Sequence, residues 1–64
     1  MKKYLVVYFA WKNGESSVFG NCVFLIEEIE DIYTEKVTND IREVITESID
    51  AVGCVIINII PLND

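Results

Sequence analysis

The sequence contains no histidine. That removes the base of a Ser-His-Asp or Cys-His nucleophile, so Ser16 and Ser17 have nothing to activate them. Cysteine is nearly as scarce. Cys22 and Cys54 alone make no zinc set, allow at most one disulfide, and lack the Cys-x-x-Cys spacing of a redox pair. Basic residues number five against eleven acidic ones, a net charge of -6. Lys2, Lys3, Lys12, Lys36 and Arg42 are scattered, so the cationic footprint of ordinary nucleic-acid binding is missing. None of the three glycines sits in a phosphate-cradling loop. No apolar run approaches the ~20 residues of a membrane helix. These absences argue against an enzyme, a cofactor or metal site, direct nucleic-acid contact and membrane insertion; the expected location is the cytoplasm. Met1-Lys2-Lys3 and the apolar run to Trp11 have the outline of a secretory signal, but the run is short and no small-x-small cleavage site follows.

What is present begins with Asn13-Gly14 between two apolar runs, the strongest short-range signal for a β-hairpin. Read as a two-residue type I′ turn, it pairs Lys12 with Glu15, Phe9 with Val18, Val7 with Gly20 and Leu5 with Cys22. Tyr8 then faces Phe19, Val6 faces Asn21, and Tyr4 faces Val23. A five-residue loop with a bulge would shift this register. In the two-residue reading one face carries Leu5, Val7, Phe9 and Trp11 with Val18, Gly20, Cys22, Phe24 and Ile26, and is expected to lie under a helix. The other carries Tyr4, Val6, Tyr8 and Ala10 with Phe19, Asn21, Val23 and Leu25. Both faces are apolar, whereas a one-layer sheet under a single helix needs only one such face.

From Glu35 to Val52 the apolar period becomes helical, with Val37, Ile41, Val44, Ile45, Ile49 and Val52 at spacings of three and four. Thr34 is the expected N-cap and Gly53 the expected C-terminal stop. Asp40, Glu43, Glu47 and Asp50 fall on the opposite side, a solvated acidic stripe. Glu27 to Tyr33 connects hairpin and helix, with Ile29 and Ile32 as expected anchors. Cys54 to Ile60 is β-branched and apolar and reads as a third strand ended by Pro61. Strict alternation puts Val55, Ile57 and Ile59 on the helix side and Cys54, Ile56, Asn58 and Ile60 on the outer side. On that assignment Cys22 and Cys54 lie on opposite faces and stay reduced.

The resulting expectation is one α+β domain over residues 1–64 with topology β-β-α-β. Strands cover about 3–11, 17–27 and 54–60, and the helix about 35–52. The three-stranded antiparallel sheet has order 2-1-3, with one helix on one face; order 1-2-3 is the alternative. The segments Lys3-Tyr4-Leu5-Val6, Phe19-Gly20-Asn21 and Val55-Ile56-Ile57-Asn58-Ile59, with the acidic helix, resemble small uncharacterised α+β proteins of Gram-positive bacteria and their prophages. That resemblance implies no activity and no functional residues.

Paired carboxylates such as Glu43 and Glu47 do acid-base work only when burial splits their pKa values, and theirs is the solvent side. Glu27, Glu28, Glu30 and Asp31 lack the alternating ligands and central glycine of an EF-hand. The aromatic set Tyr4, Tyr8 and Phe19 has the makings of an RNA-stacking platform but lacks interleaved cations. Sixty-four residues bury only ~60% of their unfolded surface, so a partner subunit is the expected stabilising device. The expected function is a non-enzymatic homodimeric interaction module, with Tyr4, Val6, Tyr8, Phe19, Asn21, Val23, Leu25, Ile56 and Asn58 at the dimer interface. The alternative is an acidic inhibitor or nucleic-acid mimic that binds a host protein through Asp40, Glu43, Glu47 and Asp50 together with the Glu27 to Asp31 loop. An enzyme or small-ligand reading requires a cleft built between subunits.

Overall fold

A computed structural model describes residues 1–14 and 17–62. Among them, strands β1 (Lys2–Trp11), β2 (Val18–Ile26) and β3 (Gly53–Leu62) form an antiparallel sheet, and helix α1 (Glu35–Ser48) packs on one face. The strand order is β2-β1-β3, with the doubly apolar β1 in the centre. This is the expected β-β-α-β topology and strand order.

The hairpin register differs from the two-residue-turn reading by one position. Tyr8 pairs with Gly20, Val6 with Cys22, Tyr4 with Phe24 and Phe9 with Phe19. Among the described residues, positive φ is confined to Gly14 (72°) and Asp50 (55°). Asn13 therefore does not take the conformation that a type I′ turn demands. The connection is longer, and the expected Lys12–Glu15 pair falls on a position outside the described residues. Because side chains alternate with period two, this one-residue shift exchanges the faces of β1 relative to β2.

Tyr4, Val6, Tyr8 and Ala10, expected on the outer face, are buried beneath α1 with Val37, Ile41 and Ile45. Cys22, Phe24 and Ile26 of β2 pack against them, as expected for that strand. The physical reason for the chosen register is visible at Gly20. The Tyr8 ring covers it so closely that a Cβ there would stand 2.5 Å from the hydroxyl. Glycine here accommodates the ring of its cross-strand partner.

β3 departs from strict alternation. Val7 pairs with Asn58 but Tyr8 pairs with Ile56, so Ile57 is an extra residue, a bulge. Before the bulge Cys54 and Ile56 face the helix; after it Ile59 does. Val55 and Ile57, expected on the helix side, are exposed. The Asn58 side-chain oxygen accepts from the Ile59 N–H (2.9 Å), satisfying a donor beside the bulge. Pro61 lies inside β3 and does not end it, as an edge strand permits.

Thr34 caps α1: its hydroxyl accepts from the Val37 N–H (3.4 Å) and donates to the Asp31 carbonyl (2.9 Å). The helix is shorter than its apolar period suggests. Asp50 takes the left-handed conformation, and the Ala51 N–H closes back on the Thr46 carbonyl (2.9 Å), a Schellman-type end. Gly53 is instead the first residue of β3 and lies beneath the Trp11 ring. Val44 and Val52 are exposed, so the core-facing row is Val37, Ile41 and Ile45. In the connection Ile32 is the anchor, 1% exposed, whereas Ile29 is 91% exposed. The Lys2 ammonium donates to the Glu30 carbonyl (2.6 Å) and ties the same segment to β1.

Candidate functional site

The sheet has one covered face and one open face. The register lays side chains on the open face in rows that cross all three strands: Phe19, Phe9 and Val55; Asn21, Val7 and Asn58; Val23, Leu5 and Ile60; Leu25, Lys3 and Leu62. Phe9 and Phe19 stack as a cross-strand pair, ring centroids 4.7 Å apart and tilted by 58°. Exposure is high at the β2 flank, where Phe19 retains 74%, Val23 55% and Leu25 58% of their accessible surface. Trp11 stands at one end, half exposed.

Whole large side chains present about 150–250 Å² each, so these exposures amount to several hundred Å². That matches the largest apolar patch of a typical monomer, about 300–600 Å² and often functional, and the rest of the face contributes toward the ~800 Å² per partner of a standard interface. Among the described strand positions of this face there is no carboxylate, although the chain carries eleven. Lys3 is its one charged residue. The acidic excess has been kept to the helix and the loops.

Of the residues expected at an interface, Phe19, Asn21, Val23, Leu25 and Asn58 are brought together on this open face. Tyr4, Val6, Tyr8 and Ile56 are not: they belong to the helix-side core. Their places are taken by Leu5, Val7, Phe9 and Val55, which strict register reading had sent under the helix. One sequence signal favours the true register, the match of a large ring with a glycine when Tyr8 is set opposite Gly20.

A second feature is a groove on the covered side. α1 runs closest to β3, which leaves β2 partly uncovered. Two depressions of about 240 and 340 Å³ lie between α1 and β2, and Phe24 and Val44 line both. Glu27, Glu30 and Asp40 stand at one end and Ser48 at the other. Asp40, Glu43, Glu47 and Asp50 are all exposed, and Asp40 alone of them lines this groove. It meets the acidic connection there, so one member of the stripe and the Glu27 to Asp31 segment expected to act with it are brought together.

The cysteines occupy the helix side on either flank of β1, Cys22 beside Val6 and Cys54 beside Ala10. They share a face, contrary to the strict-alternation reading, because the bulge reverses the early part of β3. Two strand spacings across the sheet, about 9.5 Å, and four residues along β1 separate their positions, beyond the Cα reach of a disulfide, and both are free. Burial pushes both thiols above their ordinary 9.0; the Arg42 guanidinium partly opposes this at Cys54. Raised thiol pKa values belong to packing, not to nucleophilic chemistry.

Among the described residues, no three Cys, Asp or Glu side chains converge as a metal site, and no helix is long and apolar enough to cross a membrane. Compared with known proteins, the chain matches no family model, no curated protein and no solved structure.

Proposed function

We propose that this chain is a non-enzymatic, self-associating module whose open sheet face packs against the same face of a second copy. One observation carries the reading: a broad apolar face with no carboxylate among its described strand positions, on a chain of net charge -6. Two copies approaching through any other side bring acidic helices and loops together. Approaching through this face, they meet across hydrocarbon. At ~25 cal/mol/Å², several hundred Å² per subunit is worth on the order of 10 kcal/mol for each. That offsets an association cost of ~4–15 kcal/mol.

The row Asn21, Val7, Asn58 suits a two-fold interface. A two-fold axis lying along that row or along β1 through Val7 sets amides of one subunit against amides of the other. An amide both donates and accepts, so the pairing is self-complementary, as an isologous interface requires. Trp11, at the end of the face, reports the event. Its emission shifts to the blue as concentration rises through the dimer range; emission independent of concentration, with the indole open to quenchers throughout, counts against the proposal.

A further inference from the structure

The two edges of the sheet are not equivalent. β3 is guarded by devices that stop another strand from adding to it: the bulge at Ile57, and Pro61, which has no N–H to offer. β2 has neither. It runs nine residues, Val18–Ile26, without proline, charge or an irregularity in its pairing. Its outer edge is unpaired in the sheet order β2-β1-β3.

The groove beneath α1 lies along this unguarded edge. Val23 and Leu25 direct their side chains to the open face yet line the groove, so the edge of β2 itself forms part of the wall. Val44, apolar and 52% exposed on a helix that otherwise turns polar groups to water, lines the groove together with Phe24. A strand hydrogen-bonded to this edge would place every second side chain under α1, against Phe24 and Val44.

The charges say what kind of strand. Glu27, Glu30 and Asp40 close the groove at the Ile26 end. The Lys2 ammonium, held on the Glu30 carbonyl, offsets one of them. Two carboxylates remain in excess. A second copy of this chain, itself at -6, is a poor match; a basic segment is a good one.

We infer that the β2 edge and the α1–β2 groove form a β-augmentation site for an extended segment of a partner protein, alternating apolar and polar, with Lys or Arg at the end that meets Glu27, Glu30 and Asp40. In the antiparallel orientation, the commoner of the two, that basic end is the N-terminal one. Backbone pairing supplies affinity and the groove reads alternate side chains. The inference does not rest on the open-face dimer: it uses the β2 edge and the helix side of the sheet, and shares only Val23 and Leu25 with the open face.

The test uses the full chain carrying Phe19→Asp, which removes the open face from consideration. A synthetic peptide of about ten residues, long enough to span β2, opens with two lysines and continues as alternating valine and threonine. A second peptide has glutamates in place of the lysines. Titrated against isotopically labelled protein, the lysine peptide is expected to shift the β2 amides and the Val44 methyls. The glutamate peptide binds at least about tenfold more weakly, and added salt narrows the gap between them. Val44→Ser, which removes apolar contact without adding charge, weakens the lysine peptide while the far-from-groove amides keep their positions. Three results overturn the inference: unshifted β2 amides at about 1 mM peptide, the weak limit of specific binding; equal binding of the two peptides; or concentration-dependent protection of the β2 amides without peptide, which would assign the edge to a second copy.

Discussion

The Tyr8 ring covers Gly20, its partner across the β1–β2 ladder, and fills the space where a side chain would stand. This pair decides which face of the sheet is open. With Tyr8 over Gly20, the row Tyr4, Val6, Tyr8, Ala10 goes under the helix and the row Leu5, Val7, Phe9 goes out. Gly20→Ala is therefore expected to cost about 1–3 kcal/mol, the usual penalty for forcing a methyl into a filled site. Urea unfolding measures it. In a Tyr8→Val background the same change should cost little, because the ring that clashes is gone; an equal cost in both backgrounds contradicts the relationship.

Thr34 holds the start of α1 with one accepted and one donated hydrogen bond. Thr34→Ala should lower stability by about 1 kcal/mol, as for N-caps generally. Thr34→Ser, which keeps the hydroxyl, should recover most of it. The comparison is made by urea midpoints at constant slope.

Cys22 and Cys54 have pKa values raised by burial. A thiol whose folded pKa lies above its unfolded value stabilises the fold fully below the unfolded value and loses that contribution as pH climbs through the folded one. The window thus opens near 9.0 and extends upward. At pH 8 both thiols should react with a disulfide reagent more slowly in the native protein than in urea. Oxidation should produce no intrachain bridge, since β1 stands between them. Fast native labelling contradicts this placement.

The architecture could be read from local patterns that depend on few residues. Alternation in β1 on both faces put it at the sheet centre; the three-and-four spacing through Val37, Ile41 and Ile45 located α1; Thr34 marked its start. What escaped reading depends on single-residue offsets. A loop one residue longer than Asn13-Gly14 implies turns Tyr8 from outside to inside, and one extra residue at Ile57 reverses Cys54, Val55 and Ile56. Asp50 took the left-handed position expected of Gly53, because the tertiary tie from the Val52 N–H to the Trp11 carbonyl (2.9 Å) starts β3 early. Phe19, Val23 and Leu25 were placed on the open face by either register, since β2 kept its side in both.

Sedimentation equilibrium of the native chain and of Phe19→Asp tests the open-face interface most directly. Phe19 is 74% exposed and outside the buried core, so its replacement leaves the fold in place, which circular dichroism checks. At micromolar concentration the native chain should sediment at twice its 7.3 kDa mass and Phe19→Asp at 7.3 kDa. A native chain that sediments as a monomer across this range, or a folded Phe19→Asp that remains a dimer, contradicts the proposed interface.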